Sequence, residues 1–346
     1  MSLEVAIKKK LGAFSLNIAF STDVEVFALL GASGCGKSMM LKCIAGIETP
    51  DEGKMVLNGK VLYDSKNKIN LPPQKRNVGY MFQDYALFQN MTVEENIMAG
   101  MHEKKKQVRR ERVAEYLKAF HLEGLQGRYP GQLSGGQKQR LAMARMMASE
   151  PQVILLDEPF AALDSYLKQQ MLYEMKQELA DRGCPVLFVT HDRDETFALG
   201  HTICAIRQGS VDCIQNTRDF FANPCTVNAA ILSGCKNITS AHMVDQTHAV
   251  AEDWNIRFKV PAGKDNFSSI GIRAHDLTPC VADDEAFHCV SHRIEEALFE
   301  WNVYLTMEGA PRELLWKIPK THADIHQLPE VPDYFTVNEE HVLFLS

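Results

Sequence analysis

Short, continuous apolar runs alternate with helical patterns through the first two thirds of the chain. Val24–Leu30, which is apolar except for Glu25, is predicted to be a buried strand before a glycine-rich turn, and the runs Val153–Leu156 and Val186–Val189 are bounded by proline or polar residues. Continuous apolar runs of this length are typical of strands buried on both faces of a parallel sheet. Ser38–Ala45 and Ser165–Ala180 have the periodicity of helices. This alternation predicts an α/β fold.

Two other segments have different patterns. Glu94–Phe120, rich in Lys, Glu, Arg and Ala, and Gln139–Ala148 are predicted to be helical and to form a helical insert at about residues 86–150. After about residue 231, short alternating segments are separated by Pro, Gly and Asn-Glu clusters, which predicts a small β-barrel or sandwich. Its candidate strands are Ile256–Val260, Ile270–Arg273, Val303–Met307 and Val342–Leu345.

Length and charge support two domains, which we place at residues 1–230 and 231–346. The 346 residues are enough for about two domains. The net charge of −7 is concentrated in residues 231–346, where nine Lys and Arg face 18 Asp and Glu. Residues 1–230 hold 28 basic and 26 acidic residues, so neither part has the strongly basic character of a nucleic-acid binder.

The sequence also shows no membrane-spanning stretch, no signal-peptide pattern and no C-x-x-C pair. No stretch of about 20 apolar residues predicts a membrane-spanning helix, and the start lacks the basic-then-apolar pattern of a signal peptide. Nine cysteines without a C-x-x-C pair favour reduced thiols in a cytosolic protein.

A glycine-rich segment between the first predicted strand and helix fits G-x-x-x-x-G-K-[ST]. Such a backbone can curl so that its N–H groups surround phosphate oxygens, while the lysine reaches the β- and γ-phosphates and the serine hydroxyl binds Mg²⁺. The alternative is a flexible glycine-rich turn. The predicted phosphate-binding residues are Gly31, Ser33, Gly34, Cys35, Gly36, Lys37 and Ser38.

Two carboxylates follow the apolar run Val153–Leu156. Because ligands bind at the carboxyl ends of parallel strands, Asp157 is a candidate to hold Mg²⁺. Glu158 is a candidate general base for the attacking water. The alternative is a buried strand that ends in solvated acids.

A second candidate anion site precedes the helix predicted at Gln139. Its residues are Ser134, Gly135, Gly136 and Gln137, which follow Leu133. A serine hydroxyl and backbone N–H groups at a helix start favour anion binding, although a simple helix cap is the alternative.

The phosphate loop, L-S-G-G-Q and I-L-L-D-E-P, in this order, resemble the nucleotide-binding subunit of ABC transporters from about residue 3 to 235. The resemblance implies a P-loop NTPase with a parallel sheet core, an antiparallel β edge and a helical subdomain, and it implies ATP and Mg²⁺ as ligands. It matches Gln83 to a Q-loop that contacts Mg²⁺ and the attacking water. Asp164, after Ala162 and Leu163, matches the D-loop, and His191 matches a switch histidine that contacts the γ-phosphate. Phe14 is a candidate to stack on adenine, with a core phenylalanine as the alternative.

The same resemblance implies partners. Two copies would face each other head to tail, so that Ser134–Gln137 of one copy completes the nucleotide site of the other. Transmembrane permease subunits would dock near Tyr85–Asn96, a solute-binding protein would act indirectly, and the chain would lie peripherally on the cytoplasmic face of the membrane. A soluble ABC ATPase acting on nucleic acid or ribosomes is the alternative of a different class. An inactive regulatory module is a third, against which the intact catalytic motifs argue.

The region after the cassette resembles the OB-like, TOBE-type domain of importers. Phe27–Gly31, Lys42–Glu48 and Gly234–Ile238 resemble the ATPase of molybdate/tungstate importers, whereas Ile272–His275 also fits sulfate importers. This predicts uptake of an oxyanion, molybdate or tungstate, with sulfate as the alternative. For residues 231–346 themselves, both a structural role and oxyanion sensing through backbone N–H groups, Lys236 or Arg273 stay open.

Overall fold

The computed structural model describes residues 2–23, 25–103, 105–161, 163–180, 184–264, 266–283, 286–320 and 328–346. Its contacts divide the chain into two compact units, Met1–Thr217 and Arg218–Ser346. Among the described residues, no helix combines the length and apolar composition needed to cross a membrane.

The first unit is built on an eleven-stranded sheet whose order is β6-β5-β4-β1-β2-β11-β10-β3-β9-β8-β7. The strands are β1 Leu3–Leu11, β2 Phe14–Thr22, β3 Val26–Leu30, β4 Glu52–Leu57, β5 Lys60–Asp64, β6 Ile69–Asn70, β7 Val78–Met81, β8 Val153–Asp157, β9 Val186–Thr190, β10 Thr202–Arg207 and β11 Ser210–Asn216. The helices are α1 Lys37–Ala45, α2 Pro73–Arg76, α3 Val93–Gly100, α4 Lys106–Ala119, α5 Gly135–Met147, α6 Ser165–Ala180 and α7 Arg193–Leu199.

The sheet combines two kinds of pairing, as the resemblance implied. Strands β10, β3, β9, β8 and β7 pair in parallel, and β3, β8 and β9 are buried at every position. Strands β2, β1, β4, β5 and β6 pair antiparallel, and β1 alternates between buried and exposed positions. The predicted strands at 153–156 and 186–189 are therefore confirmed and extend one residue further. Val24, which we placed in the first run, lies outside the described residues.

Helices α3 and α4 and most of the insert follow the sequence prediction, but the start of α5 does not. We expected this helix to begin at Gln139, and it begins at Gly135. The reason is a capping box: the Ser134 Oγ accepts a hydrogen bond from Gln137 N at 3.3 Å, and Ser134 N donates to Gln137 Oε1 at 3.0 Å. The two glycines thus form the first turn of the helix instead of a loop before it.

A buried arginine fixes the end of the helix that follows the phosphate loop. The Arg76 side chain is fully buried, and its Nη1 donates to the carbonyl oxygens of Cys43 and Ile44, each at 2.8 Å. The same guanidinium donates to Leu71 O at 2.7 Å and Asn70 Oδ1 at 2.8 Å. Arg76 therefore binds carbonyls of the last turn of α1, of which Cys43 O also accepts a hydrogen bond from Gly46 N at 3.2 Å.

The second unit is rich in β-structure and contains two five-stranded sheets, ordered β14-β13-β12-β15-β21 and β16-β20-β17-β18-β19. Its helices are α8 Thr217–Ala222, which begins at the boundary, and α9 Val227–Leu232. The strands are β12 Asn237–Met243, β13 His248–Ala251, β14 Ile256–Lys259, β15 Ser269–Ile272, β16 Leu277–Pro279, β17 Phe287–Glu296, β18 Glu300–Met307, β19 Leu314–Pro319, β20 Tyr334–Val337 and β21 Leu343–Leu345. All three tryptophans, Trp254, Trp301 and Trp316, lie in its core.

By contacts the second unit begins at Arg218, and the domain boundary that we drew between residues 230 and 231 stays a prediction. Val227 N donates to Ser346 O at 3.3 Å, and the Arg273 guanidinium binds Phe221 O and, at 3.2 Å, Ser233 Oγ. These bonds join the segment of α8 and α9 to the residues that directly follow β15 and β21. We missed them because the partners are far apart in sequence.

Candidate functional site

The predicted phosphate loop lies between β3 and α1, with Lys37 and Ser38 as the first residues of the helix. Gly36 precedes α1 with φ of 103°, a conformation that favours glycine. A Cβ on Gly36 would lie 2.7 Å from the Leu16 Cδ1 atom, so a side chain has no room. The sequence thus provides the curled backbone that a phosphate-binding loop needs.

Lys37 is held over this loop. Its side chain is almost fully buried, and Nζ donates to Gly31 O at 2.7 Å and to Ala32 O at 3.0 Å. No acidic residue lies in the first turn of α1. The ammonium group and the positive end of the helix therefore act together at the loop, which favours a polyanion such as a nucleotide phosphate.

A group of oxygen atoms lies beside the loop, at the end of β8. Ser38 Oγ donates to Asp157 Oδ1 at 2.7 Å, and the Tyr80 hydroxyl donates to Asp157 Oδ2 at 2.9 Å. Asp157 is buried, and burial together with the charge of Asp157 raises the pKa of Tyr80. Hydroxyl and carboxylate oxygens are the ligands that Mg²⁺ prefers, so Ser38 and Asp157 fit a magnesium site. Sequence reasoning missed Tyr80, which lies three residues before Gln83 and has no local signal of its contact with Asp157.

Glu158 and His191 meet at the ends of neighbouring parallel strands. Asp157 of β8 pairs with Val189 of β9, so the residues that follow each strand come together. The His191 Nδ1 lies 3.3 Å from Glu158 Oε1. Glu158 has φ of 46°, and its N–H donates to Val189 O at 3.0 Å. A non-glycine residue in this conformation costs about 1–2 kcal/mol, and such strain persists where surrounding contacts fix it.

The side chains of Glu158 and His191 differ in their exposure to solvent, in a way that suits hydrolysis. The Glu158 side chain is 19% exposed and that of His191 is 58% exposed. A largely buried carboxylate beside an imidazole can accept a proton from water while the imidazole donates a hydrogen bond to an anion. The structure thus brings together Lys37, Ser38, Asp157, Glu158 and His191 around the carboxyl ends of β3, β8 and β9.

Comparison with known proteins identifies the family. A family model described as "ABC transporter" matches residues 16–161. The Fe(3+) ions import ATP-binding protein FbpC of Haemophilus influenzae (strain 86-028NP) is 38% identical over 265 residues, which cover 76% of this chain and 75% of that protein. The chain belongs to the ABC transporter family. It is accordingly an ATPase, with ATP and Mg²⁺ as its ligands.

Other ABC relatives are named for the import of different solutes. The sulfate/thiosulfate import ATP-binding protein CysA of Thermosynechococcus vestitus is 35% identical, over 78% of this chain and 82% of that protein. The spermidine/putrescine import ATP-binding protein PotA of Oleidesulfovibrio alaskensis is 38% identical, over 69% and 64%. Among solved structures, the dimeric, post-hydrolysis ATP-binding cassette MJ0796 bound to ADP and Pi is 29% identical with a TM-score of 0.54, over 63% of this chain and 99% of that one.

The remaining ABC motif residues have different surroundings. Gln83 lies exposed in the turn after β7. The Asp164 Oδ1 accepts a hydrogen bond from Leu167 N at 2.9 Å and so caps the first turn of α6, while Ala162 lies outside the described residues. In the L-S-G-G-Q motif, the family signature, Ser134 and Gly135 are exposed at the start of α5. The described contacts do not assign nucleotide roles to these residues, which stay predictions.

Phe14 lies against the phosphate loop. Its ring is partly buried on the core of the first unit. A Cβ on Gly36 would lie 3.1 Å from the Phe14 Cζ atom, and one on Gly209 would lie 3.0 Å from the same atom. The ring therefore packs on both glycine backbones. This position suits a contact with a nucleotide base and also a core phenylalanine, so the stacking role stays a prediction.

An arginine that the sequence analysis did not single out connects the signature helix to the segment after the Q-loop. The Arg145 guanidinium donates to Tyr85 O at 3.0 Å and Ala86 O at 2.8 Å, and its Cζ lies 4.9 Å from the centre of the Phe88 ring. Tyr85 and Ala86 have φ of 61° and 44°. The signal was a lone charge within the apolar stretch of α5.

Proposed function

We propose that this chain is the ATP-hydrolysing subunit of an ABC importer, acting as a head-to-tail dimer on the cytoplasmic face of a membrane. One observation carries the proposal. The phosphate loop, the Ser38–Asp157 oxygen pair and the Glu158–His191 pair meet at the carboxyl ends of β3, β8 and β9. The family membership and the import functions named for FbpC, PotA and CysA support it.

We propose a part in hydrolysis for each residue from its position in the site. Lys37 and the loop N–H groups bind the β- and γ-phosphates, while Ser38 and Asp157 would hold Mg²⁺, which would neutralise phosphate charge. Glu158 accepts a proton from the water whose oxygen forms the new bond to the γ-phosphorus. The bond between that phosphorus and the bridging oxygen breaks, leaving ADP and inorganic phosphate. His191 donates a hydrogen bond to the γ-phosphate and stays beside Glu158.

The signature segment would complete the site from a second copy. Ser134 and Gly135 are exposed at the N-terminus of a thirteen-residue helix, where backbone N–H groups favour an anion. The hydrogen bonds of Ser134 and Gln137 that cap α5 are made within the segment. The dimeric relative bound to ADP and Pi supports this arrangement.

Permease subunits are the proposed partners of the segment after Gln83, with a solute-binding protein acting through them. Phe88 is 45% exposed there, and Arg145 holds its surroundings to α5. An apolar, supported surface at this point would transmit movement of the helical subdomain to a membrane partner.

Glu158→Gln tests the proposed hydrolysis site. The variant keeps the shape of the side chain and removes the base, so we expect ATP binding within about twofold of wild type and turnover reduced by about 100-fold or more. Single-turnover hydrolysis and equilibrium binding of ATP measure the two. Glu150→Gln, an exposed acid, is the control. Near-normal turnover in Glu158→Gln would refute the assigned base.

The substrate of the importer is proposed to be an oxyanion, molybdate or tungstate, with sulfate as the alternative. The sequence resemblance supports the first and the CysA relative supports the second. We also propose that residues 231–346 form an OB-like, TOBE-type domain. The Arg273 guanidinium donates hydrogen bonds to Phe221 O and Ser233 Oγ. These bonds favour a structural role for Arg273 over oxyanion sensing.

Calorimetry on the full chain and uptake in permease-reconstituted vesicles would test these assignments with the same three oxyanions. ATP-dependent uptake of molybdate or tungstate supports the first assignment, and uptake of sulfate alone supports the alternative. Uptake of none of them would refute both. A binding heat that is lost in Lys236→Ala would support sensing by the C-terminal domain.

A further inference from the structure

A lysine and two carboxylates form a compact network behind the switch histidine. Lys168, near the start of α6, has its Nζ 2.6 Å from Asp192 Oδ2 and 2.5 Å from Glu195 Oε1. The side chains are 22% exposed for Lys168, 30% for Asp192 and only 4% for Glu195. One sheltered cation thus binds two acids of the same turn.

Those two acids hold the backbone on both sides of His191. Asp192 caps α7, since its Oδ1 accepts from Asp194 N at 2.8 Å and from Glu195 N at 3.1 Å. On the other side, Thr190 Oγ1 donates to Glu195 Oε2 at 2.5 Å and accepts from Asp192 N at 3.0 Å. The residues before and after His191 therefore belong to one hydrogen-bonded unit.

His191 itself has little other support. Its side chain is 58% exposed, and the Nδ1–Glu158 contact at 3.3 Å is the ion pair that the described residues give it. An exposed side chain does not fix its own direction by packing. Its position relative to Glu158 therefore depends on the backbone that the network holds.

The network also reaches the D-loop. Lys168 N donates to Asp164 O at 2.9 Å, and Asp164 Oδ1 accepts from Leu167 N at 2.9 Å. Lys168 thus belongs to the first helical turn after Asp164 and bonds through its side chain to the turn of His191. A movement of the D-loop would therefore displace the turn of His191 through this side chain, and a movement of that turn would displace the D-loop.

The charges favour an ionised, tightly held lysine. Burial alone would lower the pKa of Lys168, but its hydrogen bonds to Asp192 and Glu195 raise that pKa above its ordinary value. Burial alone would raise the pKa of Asp192, whereas the bonds from Lys168 and from backbone N–H groups lower it. Removal of the lysine would leave Glu195 as a buried carboxylate without a cation, an unfavourable state.

We propose that Lys168 is a positioning residue for ATP hydrolysis, holding His191 beside Glu158 and joining the D-loop to the switch histidine. It does not touch the phosphate loop, so it acts on the chemical step and not on ATP binding. The inference rests on the roles that we propose for Glu158 and His191.

Lys168→Met is the primary test. We expect kcat for ATP to fall about tenfold or more, with KM within about twofold, because the phosphate loop is unchanged. Lys168→Arg should recover at least half of the wild-type kcat, since a guanidinium can bind two carboxylates. Lys176→Met, an exposed lysine on the same helix, should behave as wild type. An unchanged kcat in Lys168→Met would overturn the proposal.

A double variant separates positioning from a general loss of stability. If Lys168 acts through His191, adding Lys168→Met to His191→Ala should lower the single-turnover rate by less than twofold further. A full additional loss would show that Lys168 acts independently of His191 and would overturn the proposal. If His191→Ala alone retains the wild-type rate, the proposed function fails first, and that result is read from a variant that leaves Lys168 intact.

A buried charge left without its partner threatens folding, which a third variant addresses. Lys168→Met/Glu195→Gln removes the lysine and its buried partner charge, leaving only the part-exposed Asp192 carboxylate, and should unfold at a temperature closer to wild type than Lys168→Met alone. If this folded double variant still has a kcat about tenfold below wild type at unchanged KM, loss of positioning explains the defect. Recovery of wild-type kcat with the network removed would overturn the proposal.

Discussion

Replacement of Arg76 should weaken the first unit more than any exposed substitution. In Arg76→Met, Leu71 O and Asn70 Oδ1 are partly accessible and can recover hydrogen bonds from water. Cys43 O keeps a hydrogen bond from Gly46 N at 3.2 Å, whereas the buried Ile44 O would lose its charged donor. A buried carbonyl left without a partner costs about 1–3 kcal/mol, so we expect a loss of about 2 kcal/mol.

Two spectroscopic signals can locate this loss. All three tryptophans lie in the second unit, so their fluorescence follows that unit, whereas ellipticity at 222 nm mainly follows the helices of the first. With an m-value of about 3 kcal/mol/M in urea, a loss of about 2 kcal/mol moves the ellipticity midpoint down by about 0.7 M. The tryptophan midpoint should move far less.

Matched variants make the result decisive. Lys75→Met removes a neighbouring, exposed cation and should leave both midpoints within about 0.2 M of wild type, since surface substitutions usually change stability by less than about 0.5 kcal/mol. Arg76→Lys, a point charge that cannot reach all of the acceptors, should fall between wild type and Arg76→Met. If the ellipticity midpoint of Arg76→Met matches that of Lys75→Met, the reasoning about buried carbonyls is wrong.

Three further outcomes follow from the geometry. Tyr80→Phe removes the donor to Asp157 Oδ2 and should change the apparent Mg²⁺ affinity in ATPase titrations by about fivefold, the equivalent of about 1 kcal/mol; an unchanged titration would contradict a magnesium role for Asp157. Ser134→Ala removes the cap of α5 and should lower the free energy of unfolding by about 1 kcal/mol in urea, a loss that an uncapped helix would not show. Burial raises the pKa of Cys204 to about 12, so at pH 8 a thiol reagent should modify the exposed Cys225 in the folded protein and spare Cys204, as mass spectrometry of the labelled peptides would show.

Local patterns predicted the catalytic part of the fold well, because its motifs are contiguous in sequence. The phosphate loop follows a run of apolar residues and precedes a helix, so its position in the sheet could be read directly. The partners that fix these motifs could not. Tyr80 lies 77 residues from Asp157, and Arg76 lies 33 residues from Cys43, and neither distance leaves a periodic signal.

Charge in an otherwise apolar or helical pattern was the signal that sequence reasoning passed over. Arg145 and Lys168 stand among helix-forming residues, where a solvated charge is the ordinary interpretation. In the structure each side chain crosses to another segment and bonds there to a carbonyl or carboxylate. Only the tertiary arrangement distinguishes such a residue from a solubilising one.

The strand order has a consequence for synthesis on the ribosome. Strands β1 and β2 form an antiparallel hairpin and can pair as soon as they emerge. Strand β3, which is wholly apolar, has as its neighbours β9 and β10, and β9 begins about 155 residues later. At roughly 5–20 residues per second, β3 waits about 8–30 s for its first lateral partner. The nascent cassette therefore exposes Val26–Leu30, the strand that leads into the phosphate loop, as a binding segment for chaperones until translation has passed residue 190.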